Sequence, residues 1–289
     1  MIRTNKDRLV KIGIEGEMWP PGLDREAFML DCKGRATVAL GMGGIVYNVR
    51  VGDPASGWAA VDHVEPGVSI KHANNQADNA VAYMTCIGNE VVVTSGEAKG
   101  TRGIITGKHG RVMADFPQDA VDKLCLGDKV LIKTYGLGLC IEGYPHIHVK
   151  ACSPELLEAM GIEPGDDGIL TVPVVTEIPE GLMGSGQEVP VEMVDYDLMT
   201  ADEQEIKKLG LDKLRLGDIV AIHDADHTFG RSYRKGAITI GVVIHGDSIR
   251  GGHGPGIGTI LTCQTPKIKV KLDPQANIDN YLKIRERHG

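Results

Sequence analysis

Aromatic side chains make up only 4% of this 289-residue chain. A core this poor in rings has to be built from aliphatic residues. The six cysteines (Cys32, Cys86, Cys125, Cys140, Cys152, Cys263) are scattered and contain no CxxC pair. At that density, buried reduced thiols are expected rather than a disulfide framework. No apolar run approaches the ~18 residues of a membrane span. The N-terminal stretch MIRTNKDRLVKIGIEGE lacks the apolar core of a signal peptide. There is no polybasic run and no interleaving of basic and aromatic residues, and the net charge is −8. That balance argues against an electrostatic nucleic-acid binder. The expectation is a cytoplasmic protein that binds neither nucleic acid nor membrane.

What the chain has in plenty is glycine, 38 residues, together with many Val/Ile runs. This favours strands joined by tight turns. The length allows one large or two modest domains. An internal repeat supports two related units: Asp122–Lys133 and Asp212–His223 agree at eight of twelve positions, 90 residues apart. The shared L-x-L-G-D-x-V-x-I pattern describes a turn feeding a strand. Its Gly takes unusual dihedrals, its Asp bonds the turn backbone, and the alternating apolar residues face a core. Helices are expected to open at Asn74 or Asn75, at Ser153-Pro154, at Thr200 through a Thr-x-x-Glu capping box, and at Asp273-Pro274. The fold class read from these signals is α+β and β-dominated, with barrel-like β units and a few short peripheral helices. A first lobe would span 1–120 and a second, site-bearing lobe 121–289, unless the two form one compact domain.

The richest chemistry lies between Leu214 and Thr262, where polar, titratable side chains follow directly on apolar strands. His223 and His227 have the H-x-x-x-H spacing of a helical metal pair, but a strand precedes them and Asp224 stands where a zincin carries its Glu. A loop metal site is the more reasonable reading. His223 and His227 are candidate ligands, with the pair Asp195 and Asp197. His146 and His148, two apart on a strand, are weaker candidates. The second strand, Ala237–His245, leaves open whether His223 and His245 converge. If it forms a hairpin with 219–223, they lie at opposite ends. His253, bracketed by glycines in GGHGPGIG, is the strongest candidate for a catalytic residue, followed by His245, Asp247 and Asp226, which would carry or orient protons. Arg231, Lys108 and His109 would hold an anionic substrate, and the N–H groups around Gly252 and Gly254 would stabilise negative charge. Ser185 in LMGSG lacks both the G-x-S-x-G frame and the full P-loop pattern, so no nucleotide cofactor is indicated.

The segments EPGVSIKHANN (65–75), GEAKGTRGIITGKHGRV (96–112), LMGSG, DYDLMTAD, LRLGDIVAI, GAITIGVVIHGDS and GGHGPG together resemble an uncharacterised prokaryotic family catalogued only as a domain of unknown function. That family has a structural-genomics representative. The resemblance spans nearly the whole chain and implies no activity. A fainter similarity to acetamidase/formamidase-type amide hydrolases lies in β-rich build and G-D turns, without a shared catalytic motif. The functional expectation is a hydrolase of C–N bonds acting on a small polar or anionic substrate. It would be assisted by a divalent metal such as zinc, manganese, iron or magnesium. The alternative is a non-catalytic small-molecule binder or a homo-oligomeric scaffold.

Overall fold

The computed structural model describes residues 2–22, 28–38, 42–59, 62–165, 167–186 and 190–288. Its first strands are β1 (Ile12–Met18), β2 (Phe28–Leu30), β3 (Ala36–Val38), β4 (Val68–Lys71), β5 (Glu90–Val93), β6 (Arg102–Lys108), β7 (Val112–Asp115) and β8 (Lys129–Thr134). They are followed by β9 (Ile147–Val149), β10 (Glu163–Pro164), β11 (Leu170–Val174), β12 (Thr176–Pro179) and β13 (Tyr196–Asp197). The last are β14 (Ile219–Asp226), β15 (Ser232–His245), β16 (Gly256–Cys263) and β17 (Ile268–Leu272). Short helices sit between them: α1 (Asn75–Met84), α2 (Gln118–Val121), α3 (Pro154–Ala159), α4 (Glu203–Lys208), α5 (Ile278–Leu282) and α6 (Ile284–His288). With 37% strand and 17% helix, the protein is β-dominated.

A closed six-stranded barrel runs in the order β1-β4-β7-β6-β5-β8. Alternation fills it: in β8 the side chains of Val130, Ile132 and Thr134 are buried while Lys129, Leu131 and Lys133 face out. The interior is aliphatic, built from residues such as Val68, Ile70, Val91, Val93, Ile105 and Ile132. Because β8 pairs with both β1 and β5, a division at residue 120 would cut the barrel open. The first unit therefore runs past the boundary read from the sequence.

The second unit is a sheet ordered β12-β14-β15-β16-β13, with β9 also paired to β16. The two units share a core in which Ile87, Ile104 and Met113 pack with Val172, Ile240 and Ile244. At the contact, a Cβ on Gly107 would lie under 3.0 Å from Ile244, so glycine is what lets β6 of the barrel approach β15 of the sheet.

Both copies of the repeat make the same turn. Gly127 and Gly217 have φ of 86° and 90°. Asp128 accepts from Cys125 N at 2.9 Å, and Asp218 accepts from Arg215 N at 2.7 Å. One strand then joins the closed barrel and the other the second sheet. The repeat thus encodes a turn and the start of a strand rather than two copies of one barrel.

Two of the four helix starts fall as read: Asn74 caps α1 and Ser153 caps α3, with Pro154 in its first turn. The other two move. Asp202, not Thr200, caps α4, because the Thr200 hydroxyl is engaged by Asp247 at 2.6 Å. Asn277 caps α5, while Asp273 closes a local turn on Gln275 N at 2.8 Å.

Candidate metal centre

β14 and β15 form an antiparallel hairpin in which His223 lies opposite Ile238 and Ile219 opposite Val242. His223 and His245 are therefore at opposite ends. His223 is solvent-facing and pairs with Glu177 at 2.5 Å. An irregularity at Asp224, whose φ is +56°, separates it from His227. His227 is fully buried, its Nδ1 2.7 Å from the Thr259 hydroxyl, with the Tyr196 ring 5.3 Å away edge-on. The H-x-x-x-H pair is split.

At the other end of β15, where barrel and sheet meet, four imidazoles and two carboxylates converge. His245 ends β15. Asp195 and Asp197 flank Tyr196 on β13, which pairs with β16 so that Asp197 lies opposite Gly256. His253 comes from the loop before β16. The barrel contributes His109, directly after β6, and the segment leading into β4 contributes His63. His245 Nε2 lies 2.6 Å from Asp195 and 3.4 Å from Asp197. Asp197 also lies 2.7 Å from His253 Nδ1 and 3.6 Å from His63 Nε2. The rings of His109 and His245 are 4.2 Å apart, and those of His63 and His245 are 5.0 Å apart. Three overlapping donor sets each lie within 4.8 Å: His63/His109/His245, His63/Asp197/His253 and Asp195/Asp197/His245.

The outer groups orient these rings. Nδ1 of His63 faces Asp62 at 3.1 Å, Nδ1 of His109 faces Glu65 at 2.8 Å, and Nδ1 of His245 faces the Gly246 carbonyl at 2.8 Å. Each ring thus keeps Nε2 for the centre. A ring nitrogen tied to a carboxylate or carbonyl is the usual support of a metal-ligating histidine. The two carboxylates are anchored in turn, Asp62 by the Ser248 hydroxyl and Glu65 by the Ser69 hydroxyl, both at 2.5 Å. His63 adopts φ +52°, a left-handed conformation that costs a non-glycine residue roughly 1 kcal/mol. Its N–H is held by the Asp247 carbonyl at 3.1 Å. Strain of this kind, held by surrounding bonds, collects at functional sites.

The electrostatics follow from the same contacts. Burial opposes charge on His245 and His63. The Asp195 and Asp197 carboxylates outweigh it at His245, and hydrogen bonds to Asp197 and Asp62 outweigh it at His63. Both pKa values stand above the ordinary imidazole value, His245 well above. Burial also works against ionised Asp197, but hydrogen bonds from His245, His253 and His63 hold it far below the usual carboxylate range. The cluster is thus organised to keep buried carboxylates ionised, and a divalent ion with neutral imidazoles meets the same demand. A Cβ on Gly256 would fall on the Asp195 carboxylate and on His245 Nε2, under 3.0 Å from each. The site is packed around a residue with no side chain.

Of the residues singled out in the sequence, the structure brings together His245, His253, Asp195, Asp197 and His109. Gly252 and Gly254 lie in the His253 loop, where Gly252 O accepts from Ser185 N at 2.8 Å and Gly254 lies tight against Leu198 O. Asp247 sits one layer out, bonded to Thr200 and to Ser248 N, and burial raises its pKa. The others are elsewhere. Asp226 bonds Thr228 N at 2.9 Å and Gln264 at 2.9 Å. Arg231 donates to the carbonyls of Gly186 and Val194 and stacks at 5.4 Å from the Tyr196 ring. Lys108 is buried and donates to the carbonyls of Ala82, Thr85 and Glu192, and burial lowers its pKa to about 8. His109 follows Lys108 at the strand end, so their side chains leave on opposite sides and only His109 reaches the centre. His146 and His148 belong to none of the donor sets among the described residues.

Sequence reasoning missed His63 with its supports Asp62 and Glu65. The available signal was the D-H-x-E run itself, with a carboxylate adjacent to the imidazole. A cavity of about 800 Å³, lined among others by Lys11, Glu90, Arg102, Tyr135 and Arg287, contains none of the six donors. Cavity size does not mark the chemistry here.

Two family models match end to end: "Domain of unknown function (DUF4438), N-terminal" over residues 28–158 and its C-terminal counterpart over 159–282. The chain belongs to the DUF4438 family. The division at 158/159 leaves the whole barrel in the N-terminal half, and the candidate metal centre of this DUF4438 protein takes His63 and His109 from that half. The C-terminal half supplies Asp195, Asp197, His245 and His253. A solved structure, "Crystal structure of TM1086", is similar at 44% identity and TM-score 0.91, covering 97% of this chain and 99% of that one. No curated protein matches. Among the described residues, no helix is long and apolar enough to cross a membrane.

Proposed function

We propose that this chain is a metal-dependent hydrolase, with divalent transition metal bound at the His63/His109/His245 and Asp195/Asp197 cluster, acting on a C–N bond of a small polar substrate. The observation that supports it best is the convergence of three imidazoles whose Nδ1 atoms are each tied off by an outer oxygen. This leaves Nε2 for a central ion. The donor set is all imidazole and carboxylate with no thiolate, which suits zinc, manganese or iron. Such an ion supplies a nucleophilic water near neutral pH and polarises a carbonyl oxygen. The chain's own residues fix the geometry. Asp62 and Glu65 set the ring orientations, and His253, with 27% of its side chain exposed, is the most solvent-accessible of the six donors. Hydrolysis would join the water oxygen to the acyl carbon and break the C–N bond, with a water proton passing to the departing nitrogen.

The second reading, a metal-dependent binder without turnover, shares the same centre and is separated from the first by activity. The test is elemental analysis of the purified chain, followed by assays on a panel of simple amides before and after chelation. At least one transition-metal ion per chain, with amide cleavage lost on chelation and restored by metal, is the expected result. His223→Ala is expected to leave the metal content unchanged, since His223 lies at the far end of the hairpin. Bound metal without turnover on any amide would favour the binder. Chain without metal that takes up none on dialysis would end both readings.

A further inference from the structure

Resting on the reading of this cluster as a metal centre, the question left is how many ions it takes. A tetrahedral zinc-like ion uses four ligands at about 2.0–2.2 Å, yet six donors converge here. One octahedral ion could use six, but bonds of about 2.1 Å keep every pair of ligands within about 4.2 Å. Asp195 and His253 share none of the donor sets that lie within 4.8 Å. The six donors are too spread for one ion.

The two oxygens of Asp197 divide them. Oδ2 lies 2.7 Å from His253 Nδ1 and 3.6 Å from His63 Nε2, and those two nitrogens are 3.2 Å apart. Oδ1 lies 3.4 Å from His245 Nε2, which is 2.6 Å from Asp195 Oδ2. Adjacent ligands of a tetrahedral ion stand about 3.3–3.4 Å apart, so each group has the size of one face of a coordination shell. His109 shares a donor set with His63 and His245 but with neither Asp195 nor Asp197, so it stands beside both groups, its ring 4.2 Å from His245 and 5.3 Å from His63.

We infer that the loaded centre holds two divalent ions bridged by Asp197. The first is held by His63 and His253, the second by His245 and Asp195, as in the two donor sets that contain Asp197. Ions that share a centre in this way stand about 3.5–4 Å apart. That spacing accounts for His63 falling in one 4.8 Å set with His109 and His245 while also belonging to the set around His253.

The experiment strips the full-length chain with chelator, titrates it with cobalt(II) and counts ions retained per chain after desalting. Two are expected for the wild type and one for His253→Ala, which removes a ligand of the first ion only. His253→Asn replaces that variant if alanine does not fold. A wild type saturating at one ion, or a His253 variant retaining two, overturns the bridged pair while leaving the metal centre standing. No retained ion overturns both. Manganese(II) loading supplies a second readout: a fully loaded sample is expected to give the resonance of an exchange-coupled pair, and a spectrum of isolated ions at full loading overturns the inference.

Discussion

Gly256→Ala is expected to abolish metal loading and to lower stability by about 1–3 kcal/mol, the range for overpacking a filled interior. The added methyl has nowhere to go. It would lie under 3.0 Å from the Asp195 carboxylate and from His245 Nε2 and Cδ2. His245 is fully buried and Asp195 nearly so, so neither can yield without leaving the other. Gly256 also opens β16 and pairs with both Asp197 and His245. Any retreat of its backbone would therefore carry two donors with it. Gly251→Ala serves as the control, because a Cβ there meets nothing within 4 Å. Metal analysis after zinc dialysis, paired with urea denaturation, reads both effects. A Gly256→Ala protein that loads zinc as fully as Gly251→Ala would show that the donors do not act together at this point.

The second large effect concerns acid. His227 is buried, and burial, with Arg231 next in importance, lowers its pKa from 6.5 to about 3. Its Nε2 has no hydrogen-bond partner among the described residues. A proton there would create an uncompensated buried cation. The unfolded chain binds this proton below pH 6.5 and the folded chain does not. The stability that depends on neutral His227 is therefore intact above pH 6.5 and is lost as pH falls towards 3. The slope is up to about 1.4 kcal/mol per pH unit. Denaturation of wild type and His227→Leu at a series of pH values between 7 and 4 should show the variant losing less stability across the range. Parallel curves would mean that His227 does not titrate as its surroundings require. A constant offset between them reports only the lost contact with Thr259.

The fold was legible wherever a local rule governs. The glycine–aspartate turns before β8 and β14, the Ser153-Pro154 helix start and the alternation in the barrel strands each follow from a few adjacent residues. The reading failed where distant partners compete. Thr200 reads as a helix cap until Asp247 takes its hydroxyl. The boundary at 120 ignored that a barrel must close, and the closing strand comes after that point. The candidate site shows the same pattern. Glycines around His253 and the paired Asp195 and Asp197 mark loops that the structure brings together. Spacing along the chain misled at His223 and His227, because the irregularity at Asp224 leaves one ring facing solvent and the other in the interior. His63 is hard to find because, beyond the adjacent Asp62, the partners that reveal its place, Asp197, His245 and His253, lie more than a hundred residues away.

The candidate ligands come from both sides of residue 158. A cation that binds only the assembled arrangement favours that arrangement by mass action, so occupancy and the docking of barrel on sheet are linked. In this protein the ion would act as a rivet as well as a reagent. Its loss would loosen the seam between halves that already share one aliphatic core, and a fragment ending at that seam would carry only part of the grip.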